Sequence, residues 1–206
     1  TLIVGMELKY PPFETIDSDG NPQGISVDIA NKLGEYLNRP VKIENIEFSG
    51  LIASLQTKKI DLIISSMTIN ETRRQTIDFS DPYTKINLAL LISKDSSVQG
   101  KDDLNSADIV IAVKQGTTGH LHAMENYPLA EINLFAETGA CILEVAQGKA
   151  DVFIYDQMSI FEAWKSNSDR TRMNLEPLSD SPEYWGIGIR KGEDNLLESV
   201  NEFIRI

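Results

Sequence analysis

The sequence predicts an α/β protein of two lobes, each a mainly parallel sheet flanked by helices. Two observations lead to this prediction. Short apolar strands alternate with helical segments along the 206 residues, and the alternation occurs in two sets. Alternating strands and helices favour parallel sheets with helices on both faces. A phrase also repeats between the sets: residues 58–64 and 148–154 each end a helix and enter an apolar strand through aspartate.

The first set predicts three strands and two helices in alternation. In chain order they are strand 2–6, helix 26–38, strand 41–44, helix 51–55 and strand 61–66. The helices are indicated by apolar residues three to four positions apart. The last strand is a continuous apolar run, which is typical of a strand buried in a parallel sheet.

The second set repeats this order. Its elements are strand 109–113, helix 118–126, strand 132–135, helix 138–148, strand 151–155 and helix 157–166. A further helix is expected at 193–205. The single cysteine, Cys141, lies in an apolar helical stretch and is interpreted as a small buried side chain.

Two strand-like segments, 87–92 and 185–189, flank the second set. The simplest topology assigns residues 1–88 and 185–206 to lobe 1 and residues 89–184 to lobe 2, with hinge strands near 86–92 and 182–187. In open α/β sheets, ligands bind at the carboxyl ends of the strands. A ligand is therefore expected between the lobes, at those strand ends.

Charge and composition exclude several classes of function. The chain has 19 basic and 31 acidic residues, a net charge of −12. Such a surface repels phosphate backbones, which argues against nucleic-acid binding. No apolar run approaches the roughly 18 residues that span a bilayer. One cysteine allows no internal disulfide, so cysteine content does not fix the compartment.

The segment after strand 61–66 carries the first candidate site. Thr68 and Glu71 have the spacing of a capping box, which predicts that a helix begins there. Arg73 then lies in the first turn, where a cation opposes the helix dipole. Binding of a ligand carboxylate by its guanidinium would explain the position. A surface ion pair with Asp78 or Glu71 is the alternative.

The second set carries two more candidates. A glycine-bearing turn, residues 114–119, follows strand 109–113 and enters a helix, so its backbone N–H groups suit an anion. An ordinary turn with a threonine cap remains the alternative. Asp156 ends strand 151–155, where it can pair with an ammonium group or cap the next helix.

Aromatic residues and histidines complete the candidates. Tyr10, Phe13 and Phe48 follow or precede predicted elements and suit either a pocket wall or the core. His120 and His122 are two apart on a helix and point to different faces, which is poor spacing for a metal. They are interpreted as exposed helix residues, and neither a metal nor a cofactor is expected.

These residues together resemble the type II periplasmic amino-acid-binding proteins, the solute-binding partners of polar amino-acid ABC importers. The resemblance covers nearly the whole chain and is closest to the glutamine-binding branch. It rests on the sequence at 10–13, Gly24, Asp28, 68–73, 77–83, 116–118 and 155–156.

The resemblance implies a function without catalysis. It implies the two-lobed periplasmic-binding-protein-like fold, capture of a free L-amino acid by lobe closure, and delivery to the permease of an ABC importer. It places the chain outside the cytoplasm, in the periplasm or at the outer face of the cytoplasmic membrane, as a monomer without cofactor. A lipid anchor or a fusion to a permease stays open, as does the continuation of the family pattern past Ile206.

The resemblance also implies residue roles at the ligand backbone. Arg73 and Thr118 would bind the α-carboxylate, and Asp156 would pair with the α-ammonium. Thr68 and Ser66 would add hydrogen bonds.

Around the ligand side chain, Tyr10 and Phe48 would form a sandwich, with Phe13 and Gly119 nearby. Glu7 would supply an acceptor and Lys114 a donor, a pair that suits a neutral amide and therefore glutamine.

Other interpretations stay open. Glu7 is longer than the usual aspartate of the family, and Ser66 replaces the glycine of the glutamine binders. Asparagine, arginine, histidine or lysine is therefore an alternative ligand. A ligand-sensing domain of a receptor has the same fold. So does a cyclohexadienyl-dehydratase-like enzyme, for which Glu7 would be the first candidate acid.

Overall fold

The computed structural model describes residues 1–206. The chain divides into two compact units. Unit 1 consists of Thr1–Lys85 and Glu183–Ile206, and unit 2 consists of Ile86–Pro182.

Fourteen strands occur. In chain order they are β1 Leu2–Met6, β2 Thr15–Ile16, β3 Pro22–Gln23, β4 Val41–Asn45, β5 Leu62–Ile63, β6 Asp78–Phe79, β7 Thr84–Ile86, β8 Leu88–Ser93, β9 Val110–Lys114, β10 Glu131–Phe135, β11 Val152–Asp156, β12 Thr171–Asn174, β13 Glu183–Trp185 and β14 Gly188–Ile189.

Seven α-helices accompany the strands, six of them between strands and one after the last, and none is both long enough and apolar enough to cross a membrane. They are α1 Ile25–Tyr36, α2 Leu51–Gln56, α3 Glu71–Arg74, α4 Thr118–Asn126, α5 Thr138–Ala146, α6 Gln157–Ser166 and α7 Asp194–Arg205.

Unit 1 is built on a five-stranded sheet in the order β4-β1-β5-β14-β6. Strand β1 is parallel to β4 and β5, whereas β14 is antiparallel to β5 and β6. Alternate residues of a strand point to opposite faces. Leu2 and Val4 accordingly pack with Leu33 of α1 and Val200 of α7, while Ile3 packs in the cluster that includes α2.

Unit 2 has a five-stranded sheet of the same mixed kind, in the order β10-β9-β11-β8-β12. Strand β9 is parallel to β10 and β11, and β8 is antiparallel to β11 and β12. One face packs with α4, and α5 and α6 also pack on the sheet. The sheet is therefore covered by helices, which explains the continuous apolar runs of β8 and β11. Cys141 is buried in α5, as predicted.

The repeated sequence segments, residues 58–64 and 148–154, make the same hydrogen bond in each unit. In unit 1, Asp61 Oδ2 accepts a hydrogen bond of 2.8 Å from the backbone N–H of Ile3. In unit 2, Asp151 Oδ2 accepts one of 2.8 Å from Val110. Each aspartate thus directly precedes a central strand and satisfies an N–H at the start of the parallel neighbour, which helps to fix the register of the two strands.

The helix start predicted at Thr68 is wrong. Helix α3 begins at Glu71, and Asn70 is its N-cap: the Asn70 side chain accepts a hydrogen bond of 2.8 Å from the Arg73 N–H. Thr68 instead forms an antiparallel bridge with Trp185. Because the Thr68 backbone pairs with Trp185, Thr68 cannot cap the helix. Asn70, the next residue with a capping side chain, is the N-cap instead.

Two predicted strands are shorter or divided. The run 61–66 pairs as a ladder only at β5, and Ser66 ends it with a left-handed backbone (φ 53°). The run 185–189 is split between β13 and β14, which belong to different sheets. The break falls at Gly186, where a Cβ would lie 2.7 Å from Ile69 Cδ1.

A glycine in unit 2 gives a stability prediction. A Cβ on Gly119 of α4 would lie 2.6 Å from the backbone oxygen of Ile154 in β11. We expect Gly119→Ala to push α4 away from the sheet and lower the free energy of unfolding by about 1–3 kcal/mol.

Gly139→Ala is the matched control, because a Cβ there would meet no atom within 4 Å in α5. It should stabilise by about 0.5–1 kcal/mol, since alanine favours the helix. Urea unfolding of both variants measures the difference. Equal changes in the free energy of unfolding would show that the close approach of α4 to β11 does not require glycine at position 119.

Candidate functional site

Arg73 is a buried cation of unit 1, with only 8% of its surface exposed. Its Nη1 donates a hydrogen bond of 2.6 Å to the backbone oxygen of Thr68, and its guanidinium lies 5.4 Å from the centre of the Phe48 ring. Burial lowers the pKa of Arg73 to about 10, against the opposing effect of the Glu183 charge. The guanidinium therefore stays charged at neutral pH and can bind a carboxylate.

Thr68 lies beside this cation. Its Oγ1 donates a hydrogen bond of 3.3 Å to Glu183 Oε2, and its backbone pairs with Trp185 of β13. Glu183 was not predicted as a site residue, because it comes 115 positions later in the chain and only the strand pairing places it here.

Ser66 contacts a second carboxylate that the sequence did not reveal. The Oγ atoms of Ser66 and Ser26 donate hydrogen bonds of 3.0 Å and 2.6 Å to Oε2 of Glu14, which is 1% exposed. Burial raises the pKa of Tyr83, and the negative charge of Glu14 raises it further. The only sequence signal was its position directly after the 10–13 motif. The left-handed backbone of Ser66 is the kind of strain that concentrates at functional sites.

Glu7 lies at the carboxyl end of β1, beside the residues that follow β5. Its backbone N–H donates a hydrogen bond of 3.0 Å to Ser65 Oγ. Its Oε2 accepts one of 2.8 Å from the backbone N–H of Phe48, and the residue is 4% exposed. The carboxyl ends of the parallel strands thus gather Glu7, Ser66 and Phe48, as expected from the sequence.

The aromatic residues of unit 1 form a packed group. Tyr10 and Phe13 have ring centres 5.1 Å apart, and Trp185 packs edge-on against Phe13 at 4.7 Å. Tyr10 and Phe13 were predicted as site residues from the sequence, whereas Trp185 was not; it joins the group because it is the last residue of β13.

In unit 2 a short turn, residues 115–117, connects β9 to the start of α4. Gly116 has φ 79°, a conformation that glycine adopts without strain. Thr117 is the N-cap: its Oγ1 accepts a hydrogen bond from His120 N–H and donates one of 2.7 Å to the Lys114 oxygen. Thr118 is the first residue of this nine-residue helix, so its N–H points toward the N-terminal end.

Asp156 ends β11 and uses its two oxygens differently. Oδ1 accepts a hydrogen bond of 2.9 Å from Ser159 N–H and caps α6, whereas Oδ2 is buried and has no partner. Burial raises the pKa of Asp156 to about 6, although hydrogen bonds from Ser159 oppose the rise. Both sequence interpretations therefore fit one side chain, because one oxygen caps the helix and the other can accept a hydrogen bond from a ligand.

Lys114 ends β9, the parallel neighbour of β11, and is 2% exposed. Because the two strands are parallel, Lys114, the α4 N-terminus and Asp156 lie toward the same edge of the sheet. Unit 2 thus has its own group of predicted residues at the carboxyl ends of its strands.

The histidines differ from their prediction as exposed residues. His120 and His122 are half-buried, and the His122 ring packs edge-on against Tyr127 at 5.5 Å. Burial lowers the pKa of His122. Tyr127 directly follows helix α4, and its ring covers part of His122, which explains why His122 is not fully exposed. No group of three His, Cys, Asp or Glu side chains is arranged to hold a metal ion.

The chain is similar to a known family of proteins over nearly its whole length. The family model for bacterial extracellular solute-binding proteins, family 3, matches residues 2–206, so the chain belongs to this family. The resemblance to amino-acid-binding proteins and the fold class predicted from the sequence are thereby confirmed, whereas closeness to the glutamine-binding branch stays a prediction.

Individual relatives bind different amino acids. The L-cystine-binding protein TcyJ of Escherichia coli K12 is 28% identical over 206 residues, which is 99% of this chain and 76% of that protein. An arginine-bound Gly52Ala mutant of ArgBP from T. maritima is 35% identical with a TM-score of 0.91, covering 99% of this chain and 94% of that one. An ancestral arginine-binding protein bound to glutamine is 30% identical with a TM-score of 0.90, covering 99% and 90%.

Proposed function

We propose that this protein captures a free L-amino acid outside the cytoplasm, as a monomer, and delivers it to the permease of an ABC importer. The observation that carries the proposal is the pair of buried, oppositely charged groups: the Arg73 guanidinium in unit 1 and Asp156, with its unpartnered Oδ2, in unit 2. A buried charge is costly unless a partner neutralises it. A zwitterion carries both an ammonium group for Asp156 Oδ2 and a carboxylate for the Arg73 guanidinium.

The α-carboxylate is assigned to Arg73. A guanidinium can bind both oxygens of a carboxylate with two parallel hydrogen bonds. Thr68 in unit 1 and the Thr118 N–H in unit 2 are further donors. Ser66 Oγ donates its hydrogen to Glu14, so it would add a hydrogen bond to the ligand as an acceptor. The N-terminal end of α4 favours a negative charge.

The α-ammonium is assigned to Asp156 Oδ2. An ammonium has three donors and no acceptor, so it suits a carboxylate oxygen that has no other hydrogen bond. Because the two charge partners come from different units, the ligand would stabilise the state in which both reach it. A micromolar dissociation constant corresponds to roughly −8 kcal/mol, a magnitude that two desolvated charge pairs can supply.

Glutamine is the ligand that we propose first. Glu7 offers a buried acceptor and Lys114 a buried donor, and a neutral amide needs one of each. A lysine near the ligand side chain would also repel a cationic ligand. Tyr10 and Phe48 would pack on the aliphatic part of the side chain.

Arginine is the second candidate, and Glu14 is the observation that favours it. With Glu7, it gives unit 1 two buried carboxylates, against the single Lys114 of unit 2. Two carboxylates suit a guanidinium, which has five donors. The similarity to an arginine-bound protein supports this candidate as well.

A thermal-shift screen with the twenty amino acids, followed by calorimetry of each hit, tests the function. A ligand at a hundred times its dissociation constant stabilises the native state by about 2.7 kcal/mol. We expect the largest shift with L-glutamine or L-arginine and none with the D-enantiomers. No shift with any amino acid would refute the proposal.

We further propose that the protein binds without catalysing a reaction. A dehydratase would need a free acid above a leaving hydroxyl, and Glu7 is held by the Phe48 N–H as a hydrogen-bond acceptor. Incubation with prephenate or arogenate should therefore release no aromatic product. Formation of such a product at an enzymatic rate would contradict this assignment.

The pH dependence of binding should report Asp156. Its pKa of about 6 in the free protein means that below pH 6 a proton occupies the carboxylate that the ammonium needs. We expect the affinity at pH 5 to be about tenfold weaker than at pH 7, because one proton must be released on binding. Calorimetry across this range measures the effect, and a flat profile would contradict the role of Asp156.

A further inference from the structure

Glu183 is a carboxylate of unit 1 to which the proposed binding mode assigns no contact with the ligand. It begins the segment that re-enters unit 1, as the first residue of β13. The pairing of β13 with the chain after β5 fixes its position: Thr68 bridges Trp185, and the Ile69 N–H donates a hydrogen bond of 2.8 Å to the Tyr184 oxygen.

Two of the groups that would bind a ligand carboxylate, Thr68 and Arg73, already interact with Glu183. Thr68 Oγ1 donates to Glu183 Oε2 at 3.3 Å. The negative charge of Glu183 acts on the buried guanidinium of Arg73 and opposes the effect of burial on its pKa. A carboxylate of the protein itself thus neutralises the site in part.

We propose that Glu183 competes with the α-carboxylate of the ligand for Arg73 and Thr68, and so sets the affinity of the site. This inference rests on the proposed function. A hydroxyl has one hydrogen to donate, so Thr68 cannot serve both carboxylates through Oγ1. Two carboxylates at one buried guanidinium also repel each other.

The competition has two consequences. In the free protein Glu183 lowers the cost of burying Arg73. In the complex Glu183 must give up Thr68 or turn away from the guanidinium, which reduces the net gain from the ligand. The residue is therefore a determinant of affinity for any ligand with an α-carboxylate, whatever its side chain.

The test is calorimetric titration of the wild-type protein and of Glu183→Gln with L-glutamine and L-arginine. Glutamine in place of Glu183 can still accept the Thr68 hydrogen bond but carries no charge. We expect binding about tenfold tighter, because a larger fraction of the sites is free to accept the ligand carboxylate. The unliganded variant should unfold at a lower temperature than the wild type.

The α-carboxamides of the same two amino acids separate competition from a structural effect. Removal of a competing carboxylate should not tighten binding of a ligand that has no carboxylate, whereas a reshaped site would change both. Glu176→Gln, an exposed position in unit 2, controls for the change in net charge. Unchanged or weaker binding of the amino acids by Glu183→Gln, with normal binding by the wild type, overturns this inference alone. Binding by neither protein overturns the proposed function as well.

Discussion

Arg73→Ala is expected to weaken amino-acid binding at least a hundredfold, a loss of about 3 kcal/mol or more for one buried charge partner. The substitution removes the guanidinium and leaves the carboxylate of the ligand in a site with few cations. It also removes a buried cation whose Nη1 holds the Thr68 oxygen, so some loss of stability is expected. Calorimetry on the variant, with circular dichroism to confirm folding, measures the effect.

Arg74→Ala is the matched control. Arg74 is the next residue of α3, its side chain is 51% exposed, and its ion pair with Glu71 at 3.7 Å is on the surface. Exposed pairs of this kind contribute roughly 0–1 kcal/mol. Binding by Arg74→Ala should therefore equal that of the wild type. If the Arg73 variant keeps its affinity, Arg73 does not bind the α-carboxylate.

Asp156→Asn is expected to abolish binding and at the same time stabilise the unliganded protein. Asparagine keeps an oxygen for the Ser159 N–H and therefore keeps the cap of α6. It replaces the acceptor Oδ2 with an NH₂ donor or a neutral oxygen, neither of which neutralises an ammonium. We expect a loss of affinity of at least a hundredfold by the reasoning applied to Arg73.

The sign of the stability change follows from the pKa. A rise from 3.8 to about 6 means that the charged form of Asp156 costs about 3 kcal/mol at neutral pH in the unliganded fold. This cost is absent below the unfolded pKa of 3.8, where the carboxyl is protonated in both states, and it is fully present once the pH has risen through 6. The variant should therefore melt above the wild type at pH 7.5, and the difference should disappear near pH 4.

Asp169→Asn provides the control for this experiment, because Asp169 is 80% exposed and pairs only with Arg170 at 3.8 Å. It should change neither the melting temperature nor the affinity. A variant of Asp156 that binds as tightly as the wild type would remove the residue from the ligand site. Equal melting temperatures at pH 7.5 would show that the buried charge has no cost.

The sequence was sufficient for the elements that depend on local pattern. Helices α4 and α6 begin and end at the predicted residues, because apolar periodicity and capping side chains define them. The aspartates that begin the central strands were visible as a repeat, and their shared hydrogen bond to a neighbouring strand explains the repeat.

Features that depend on distant pairing were not visible in the sequence. Thr68 has the spacing of a capping residue, but β13 pairs with it and Asn70 caps the helix. Glu183 and Trp185 lie more than a hundred positions from the site residues that they contact. Their contributions follow from the pairing of β13 with the chain at Thr68, a contact between distant segments that the alternating strand and helix pattern does not predict.

Ser66 shows a second limit. Its hydroxyl was predicted as a ligand contact, whereas the structure shows it donating to Glu14, a carboxylate 52 residues earlier. A positive φ at a serine cannot be read from local propensity, because glycine and asparagine are the residues expected there. The role of Ser66 in binding the ligand stays a prediction.

A crystal structure of the complex with L-glutamine or L-arginine tests the central claim most directly. We expect one bound amino acid to contact both units, with its α-carboxylate at hydrogen-bond distance from the Arg73 guanidinium and its α-ammonium at hydrogen-bond distance from Asp156 Oδ2. Such charged contacts are about 2.7–2.9 Å long. An amino acid bound elsewhere, or one that contacts only one of these two residues, would contradict the account.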